Sequence, residues 1–414
     1  MSDNDEFVLG DLAGEDNVTA MKKTDEEVKK AVESVTAAVE ITEEDKEKAE
    51  AAEAAVADKE EEDEIFQLTA DLSTFIAEKV DLTNDDGDIG KFSTGIDTLD
   101  AIAGGGLGIG TFTMIVGCPG TFKSSLLGQV IGHNQQYYKD KGRLLATFHD
   151  SENGMTTARL SQMGVNLPKL IPYDNVTVES IFKIVESLSA FKQLRKIDSP
   201  AMVCWDSIAN TDTEKGIESE DTDINKTIGL KARLLSQLFP RFLPKMKKNK
   251  ISIIAVNQLR EKLDMGMFSA PNDLQKLGNK DIPGGQAVKF NAFHLLFLRN
   301  RGDLKYEQYG FNGVKIEASF VKNKFFRPHV PVTLLVDFNT GVSNFWTNYN
   351  FLADNKKIKA GAWNNVVGYE EKKFRTKDAP DLYNNDVKFK ELFDKYVKET
   401  IQQVIIEPNT TSNS

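Results

Sequence analysis

The sequence has 414 residues, with 51 basic and 63 acidic side chains that give a formal net charge of −12. Residues 1–64 hold 23 of the acidic and 7 of the basic side chains, so the rest holds 40 and 44 and is slightly positive. The acidic total therefore does not exclude a polyanionic partner. Two distant cysteines, Cys118 and Cys204, exclude a disulfide framework and a zinc cluster. No run of about 18 apolar residues occurs, and we expect a cytoplasmic protein without membrane partners.

Residues 1–64 are predicted to form an acidic, largely disordered tail. The segment is rich in Glu, Ala, Asp and Lys and holds one aromatic residue, Phe7. Such a composition cannot bury enough apolar surface to fold alone. A weak apolar stripe in residues 28–39 leaves open one amphipathic segment that binds a partner.

Residues 65–90 are predicted to form an N-terminal oligomerisation helix and a linker. Apolar residues recur at helical spacing from Ile65 to Val80, and a turn-rich stretch follows. We expect this helix to dock on the core of a neighbouring subunit. Packing on the core of its own chain is the alternative.

Residues 91–340 are predicted to form an α/β core with a mostly parallel sheet flanked by helices. Short apolar runs alternate with helical patterns, and buried strands separated by helices are typical of such sheets. The predicted strands are 112–116, 144–148, 201–205 and 251–256, with two more at 292–299 and 314–321, and the predicted helices are 124–139, 176–194 and 228–247. Residues 341–414 are predicted to be a small C-terminal domain and tail, with a last helix at 388–403.

The strongest motif is GCPGTFKS, which follows the first of these strands and opens a helix. This is the setting of a P-loop, in which backbone N–H groups cradle phosphates, Lys123 reaches the β- and γ-phosphates and Ser124 ligates Mg²⁺. Phe122 replaces the glycine of the usual pattern, which leaves an ordinary glycine turn as the alternative. The predicted ATP-binding residues of this loop are Gly117, Cys118, Pro119, Gly120, Thr121, Phe122, Lys123, Ser124 and Ser125.

Polar side chains follow three further strands, and parallel strands bring such residues to one edge of the sheet. Asp206 is a candidate to hold Mg²⁺ with Ser124. Glu152 is a candidate to orient or deprotonate the attacking water, with Asp150 as its competitor. Gln258 is a candidate sensor of the γ-phosphate. The plain alternative is a helix or turn cap for Asp206 and a loop residue for Gln258, and their occurrence together with the phosphate-binding loop favours the functional roles.

Residues 259–283 show no convincing helix or strand pattern, which is typical of a functional or disordered segment. The basic residues are candidates to bind a phosphate backbone, and the apolar ones are candidates to wedge between bases. The candidates in this segment are Arg260, Lys262, Met267, Phe268, Lys276 and Lys280. Its acidic residues leave a mobile surface loop as the alternative. The polar stretch 211–226 is more acidic and is a weaker DNA candidate.

Over residues 91–341 the sequence resembles the RecA family of recombinases, and most of all the UvsX-type proteins of phages. The resemblance rests on ordered motifs, which are STGIDTLDAIAGGGLGIG (93–110), HDSENG (149–154), WDSIAN (205–210), ARLLSQ (232–237), VNQLR (256–260), GGQAVKF (284–290) and VKNK (321–324). Phage members of this family also place a Phe directly before the loop Lys, so Phe122 supports the resemblance.

The resemblance implies a role for each matching residue. Glu152 takes the place of the catalytic glutamate, Asp206 that of the metal-site aspartate and Gln258 that of the relay from nucleotide to DNA. Lys322 and Lys324 match paired lysines that reach the ATP of a neighbouring subunit. The stretches 211–226 and 259–283 match the two DNA-binding loops, and Arg233 matches a residue that contacts the DNA backbone. Arg159 stands where relatives stack a Tyr on adenine, so its contact with the base is either guanidinium stacking or lost.

The resemblance also implies the function. We expect a DNA-dependent ATPase that uses ATP and Mg²⁺, forms filaments on single-stranded DNA and catalyses homologous pairing and strand exchange in recombination, repair and recombination-dependent replication. Expected partners are single- and double-stranded DNA, further copies of the chain, a single-strand-binding protein and a recombination mediator. We expect a phage protein in the bacterial cytoplasm. The alternatives are a RecA-fold hexameric replicative helicase and an ATP-gated DNA-binding polymer without exchange activity.

Overall fold

The computed structural model describes residues 89–140, 144–152, 154–174, 176–218, 224–261, 280–361 and 363–407. The predicted acidic tail and the predicted oligomerisation helix lie outside these residues. Four of the DNA-binding candidates also lie outside them, namely Lys262, Met267, Phe268 and Lys276.

A nine-stranded sheet forms the centre of the described protein, in the strand order β13-β12-β11-β10-β3-β7-β6-β4-β5. Its strands are β3 (Phe112–Gly117), β4 (Leu145–Asp150), β5 (Leu170–Asp174), β6 (Ala201–Asp206), β7 (Ile251–Gln258), β10 (His294–Leu304), β11 (Gly313–Asn323), β12 (Pro331–Asp337) and β13 (Gly341–Val342). The strands from β10 to β5 pair in parallel, and those from β10 to β13 pair antiparallel. The prediction of a mostly parallel sheet is confirmed.

Three small sheets and the helices surround this central sheet. The small sheets pair β1 (Lys91–Phe92) with β2 (Leu107–Gly108), β8 (Arg260–Glu261) with β9 (Lys280–Asp281), and β14 (Ile358–Lys359) with β15 (Asn364–Val366) and β16 (Tyr369–Phe374). The helices are α1 (Asp97–Ala103), α2 (Lys123–Tyr137), α3 (Thr157–Gln162), α4 (Val178–Arg195), α5 (Glu214–Glu218), α6 (Ile224–Lys248), α7 (Gly285–Asn291), α8 (Tyr306–Tyr309), α9 (Asn344–Asp354), α10 (Ala379–Asn385) and α11 (Val387–Thr400), which a π-helical turn extends over Ile401–Ile406.

The central sheet is buried on both faces because its strands send alternate apolar side chains into two separate clusters. In β6, Met202 and Cys204 join the cluster that contains α2, whereas Val203 and Trp205 join the cluster that contains α4 and α6. All four side chains have no exposed surface. This arrangement explains why the strands appear in the sequence as continuous apolar runs.

Strands β10 and β11 extend farther than the apolar pattern predicts. The predicted run ends at Arg299, but β10 continues to Leu304 and pairs with β11, and each of these two strands is eleven residues long. Residues 299–303 are exposed, and the pairing shifts between Asn300 and Gly302. The predicted strand is too short because residues 299–303 of β10 are polar or glycine, although Leu304 beyond them is buried.

The elements after β13 pack around a third apolar cluster. This cluster combines Trp346, Phe389 and Phe393 with Leu304 and Leu335 from the central sheet. The domain boundary near residue 341 stays a prediction. Strand β13 begins at this position and pairs with β12 of the central sheet. Within the described ranges, no helix is long and apolar enough to cross a membrane.

His294 supplies a pH-sensitive element of the core. It is fully buried at the start of β10, where its Nε2 accepts the Gly108 N–H at 3.2 Å and its ring lies against Phe320 and Phe325. Burial lowers its pKa from the usual 6.5 to about 4, and the nearby Lys91 acts in the same direction. The unfolded chain therefore binds a proton at His294 before the folded protein does, and stability falls as the pH drops below 6.5.

We predict that protonation of His294 in the unfolded chain lowers the free energy of unfolding by about 2 kcal/mol between pH 7 and pH 5. His294→Gln should retain an acceptor for Gly108 and flatten the pH dependence by this amount. Urea unfolding of both proteins across this range measures the difference. Equally steep profiles would contradict the assignment.

Candidate nucleotide-binding and catalytic site

The segment 117–124 forms a tight loop between β3 and α2. A Cβ atom at Gly117 would lie 2.7 Å from the Leu298 carbonyl oxygen and 2.4 Å from Thr121 Oγ1, so only glycine fits. The Thr121 hydroxyl donates to the Cys118 carbonyl at 2.8 Å and closes the turn. Because α2 begins at Lys123, the free N–H groups of its first turn lie at this loop. The loop has the features of an anion-binding site.

Phe122 adopts a left-handed backbone conformation, with φ 59° and ψ 28°. For a residue other than glycine this conformation costs about 1–3 kcal/mol. The Phe122 ring stacks on Phe338, with 5.8 Å between ring centroids and 13° between ring planes. Phe338 lies in the turn between β12 and β13. The backbone geometry thus explains why glycine is usual here and shows what Phe122 contacts instead.

Lys123 extends into a cavity of about 300 Å³ at the carboxyl edge of the sheet. Its Nζ donates to the Cys118 carbonyl at 2.9 Å. Burial lowers the pKa of Lys123, and the carboxylates of Asp206 and Glu152 act against that shift. The cavity is lined by Pro119, Gly120, Phe122, Lys123, Ser124, Ser125, Glu152, Asp206, Val256 and Gln258. The loop residues and the three strand-end candidates therefore meet in one place.

Glu152 is held in this cavity by two side chains. Its Oε1 atom accepts a hydrogen bond from Gln258 Nε2 at 2.7 Å and another from the Ser207 hydroxyl at 2.8 Å. Its competitor Asp150 is buried and accepts the backbone N–H groups of Glu152 and Met155 at 2.9 and 2.8 Å. The geometry gives Asp150 the task of shaping the loop and leaves Glu152 facing the cavity.

The Ser124 and Asp206 side chains are hydrogen-bonded to each other and fit a magnesium ion. Burial raises the pKa of Asp206 to about 6, the Ser124 hydrogen bond opposes this shift, and Glu152 and Asp150 add to it. A hydroxyl and a carboxylate are the hard oxygen ligands that Mg²⁺ prefers. The carboxylates of Asp206 and Glu152 face one lysine here, with Asp150 close behind them, so a divalent cation would relieve their repulsion. Among the described residues no cluster of three His, Cys, Asp or Glu ligands occurs, so water and phosphate would complete the shell.

Arg159 lies beside the cavity rather than in it. Its Nη1 atom donates to the carbonyl oxygens of Phe338 and Asn339 at 2.7 and 3.1 Å, and Nη2 lies 3.5 Å from Ser125 Oγ. The guanidinium thus anchors the turn between β12 and β13 next to α2. Whether Arg159 also binds the base stays a prediction.

Lys322 and Lys324 do not line the cavity of their own chain. Lys322 Nζ donates to the carbonyl oxygens of Phe290 and Lys289 at the end of α7, and Lys324 Nζ lies 5.5 Å from the centre of the Phe293 ring. Burial lowers the pKa of Lys322, and Lys324 acts in the same direction. Both lysines lie at or just beyond the end of β11.

The described DNA-binding candidates lie near the ends of the two predicted DNA loops. Arg233 is exposed on α6, and β8 pairs Arg260 with Asp281 and Glu261 with Lys280 of β9. At Gly284, a Cβ atom would lie 3.2 Å from Leu235 and 3.3 Å from Ile208. This close approach brings the start of one loop and the end of the other against the helix that carries Arg233.

Sequence reasoning missed three residues that shape the site. Ser207 donates to Glu152, the Ser151 hydroxyl donates to the carbonyl oxygens of Asp206 and Ser207, and Phe338 stacks on Phe122. Both serines stand inside the motifs HDSENG and WDSIAN, which was an available signal. No pattern in the sequence pointed to Phe338, because its turn is distant along the chain from the phosphate-binding loop and only folding brings the two together.

We predict that Asp150 and Glu152 separate in their effects on stability. Asp150→Ala should lower the free energy of unfolding by about 1–3 kcal/mol because two backbone donors lose their acceptor. Glu152→Gln, at an exposed position, should change it by less than about 0.5 kcal/mol. Urea denaturation followed by circular dichroism measures both. Equal losses would reject this division of roles.

Comparison with known proteins agrees with this geometry. The sequence matches the family described as RecA N-terminal domain over residues 77–343, a range that includes every strand from β1 to β13. It is also similar to "Protein RecA" of Mycoplasmopsis pulmonis (strain UAB CTIP), with 27% identity over 319 residues that cover 77% of this chain and 87% of that protein. The chain belongs to the RecA family.

Proposed function

We propose that this chain is a DNA-dependent ATPase that forms filaments on single-stranded DNA and catalyses homologous pairing and strand exchange in recombination, repair and recombination-dependent replication. Membership of the RecA family supports a role in DNA recombination and repair with ATP as the nucleotide. The observation that carries the finer proposal is the 2.7 Å hydrogen bond from Gln258 to Glu152. It joins the candidate catalytic base to the strand that leads into the candidate DNA-binding segment.

The cavity offers a group for each requirement of ATP hydrolysis. Lys123 and the first turn of α2 bind the β- and γ-phosphates. Glu152 accepts a proton from the attacking water. The water oxygen bonds to the γ-phosphorus while the bond between the γ-phosphorus and the ADP oxygen breaks. A Mg²⁺ ion held by Ser124 and Asp206 would neutralise phosphate charge. Gln258 donates to Glu152, and we propose that it exchanges this partner for a γ-phosphate oxygen when ATP binds.

Three contacts connect this cavity to both ends of the segment 259–283. The Leu259 N–H donates to the Gly117 carbonyl at 3.3 Å, directly from the segment to the phosphate-binding loop. Asn257 Nδ2 donates to the Pro283 carbonyl at 2.8 Å, and β8 pairs with β9. A shift of Gln258 would therefore move the anchored ends of the segment 259–283. We propose that ATP binding in this way sets the DNA affinity of Arg260, Lys280 and the residues between them.

Lys322 and Lys324 support the proposal that ATP controls assembly. Each is a cation that the cavity of its own chain does not use. We propose that both reach the ATP of the adjoining subunit, where they stabilise the charge of the transferring phosphoryl group only in the filament. The predicted helix at 65–80 would provide the docking contact between subunits.

The two alternatives differ from this proposal in assembly and in outcome. A hexameric replicative helicase would form closed rings, which electron microscopy separates from open filaments. An ATP-gated DNA-binding polymer would assemble without joining homologous DNA molecules. The VKNK lysines and the GGQAVKF stretch favour the recombinase over the helicase.

The UvsX-type phage subtype, a single-strand-binding protein and a recombination mediator remain parts of the proposal. The acidic tail adds a hypothesis of its own. With 23 acidic and 7 basic side chains, it is suited to compete with DNA phosphates for a basic surface, an effect that salt would screen.

We predict that Glu152→Gln separates DNA binding from hydrolysis. The amide cannot accept the proton from water, so ATP turnover on single-stranded DNA should fall at least about a hundredfold. The variant should still bind DNA when ATP is present, because the loop, Ser124 and Asp206 are intact. Phosphate release and fluorescence anisotropy measure the two quantities.

The matched control is Glu391→Gln, an exposed carboxylate on α11. It should hydrolyse ATP and bind DNA as the wild type does. Normal turnover in Glu152→Gln would remove Glu152 from the proposed mechanism. Loss of both turnover and ATP-dependent DNA binding would show that the residue acts mainly in holding the site together.

A further inference from the structure

The phosphate-binding loop depends on a contact from outside its own segment. Phe122 has a left-handed backbone directly before Lys123, and its side chain makes no capping hydrogen bond to α2. A glycine would adopt this conformation at no steric cost, whereas an L-residue with a Cβ atom is strained there. Something else must stabilise Phe122 in this geometry.

The Phe338 ring is the contact placed to do this. It stacks on the Phe122 ring with near-parallel planes, 13° apart, and part of Phe122 also packs against the apolar cluster around α2. An aromatic pair contributes a stabilisation of the same order as the cost of a left-handed residue. The ring pair therefore offsets a strain that lies one residue before the phosphate-binding lysine.

The turn that carries Phe338 is fastened at both ends. At one end Arg159 donates to the Phe338 and Asn339 carbonyl oxygens. At the other end Gln129 of α2 exchanges two hydrogen bonds of 2.7 Å with the backbone of Val342. Loss of Arg159 would remove its two hydrogen bonds from the Phe338 end of the turn, which would then be held by the Phe338 N–H donating to the Asn312 carbonyl at 3.2 Å.

We propose that Phe338, held by Arg159, is a positioning residue that maintains the phosphate-binding loop through Phe122. The inference rests on the proposed function, because the loop is taken to bind ATP. It assigns to Arg159 a task in the folded protein that does not require contact with the base. It also explains how a loop with Phe in place of glycine keeps its shape.

A double-mutant cycle tests the coupling between the two rings. Phe338→Ala should weaken binding of Mg²⁺-ATP about fivefold because Phe122 loses its support. Phe122→Gly removes both the ring and the strained side chain, so its own affinity is the reference for the second half of the cycle. In the Phe122→Gly background, Phe338→Ala should change the affinity by less than about twofold. Isothermal titration calorimetry measures all four proteins.

Inorganic triphosphate serves as a second probe because it has no base. A positioning role acts through the loop, so Phe338→Ala should weaken triphosphate and ATP binding by the same factor. Arg159→Gln should weaken binding less than Phe338→Ala does, because the Phe338 N–H still donates to the Asn312 carbonyl. It should add nothing when Phe338 is already alanine. Tyr306→Ala removes another exposed aromatic ring, on α8, and should leave both affinities unchanged.

Three outcomes overturn the inference. Equal losses from Phe338→Ala with Phe122 or glycine present would mean that the rings are not coupled. A loss with ATP but not with triphosphate would make Phe338 a direct contact of the base. No loss at all would leave the ring pair without a role. These outcomes differ from failure of the proposed function, in which the wild-type protein itself would bind no ATP.

Discussion

The parallel pairing of β3, β4, β6 and β7 is the constraint on which the site depends. Strands that run in the same direction end at the same edge, so the phosphate-binding loop after β3 meets Glu152, Asp206 and Gln258 there. The register aligns Gly117 with Gln258 and Asp150 with Asp206. Helices on both faces bury the strands.

The same edge concentrates charge that the protein alone does not balance. Lys123 faces Asp206 and Glu152, and Asp150 lies close behind them. A nucleotide with its Mg²⁺ would bring both signs of charge, with the phosphates on Lys123 and α2 and the cation on Ser124 and Asp206. Gln258 bonds Glu152 at one end of β7, and Leu259 bonds Gly117 just beyond it. We therefore propose that a change in this balance acts on the segment at 259–283.

Much of this arrangement could be predicted from the sequence, because it follows from local patterns. Apolar runs located the parallel strands, and a glycine-rich turn before a helix located the phosphate-binding loop. The remainder depends on contacts between distant parts of the chain. Asp150 turns inward and accepts two backbone N–H groups, which leaves Glu152 as the carboxylate that faces the cavity. Phe338 contacts Phe122 only because the turn between β12 and β13 lies against α2. Residues 299–303 of β10 carry no apolar side chain, so the apolar pattern could not predict this part of the strand.

We propose that this chain catalyses homologous pairing, and a joint-molecule assay is the decisive test. Single-stranded DNA is mixed with the protein, ATP and Mg²⁺, and then with a homologous or a heterologous duplex. We expect joint molecules with the homologous duplex alone and only when ATP is present. ATP-dependent DNA binding without joint molecules, or joining that ignores homology, would contradict it.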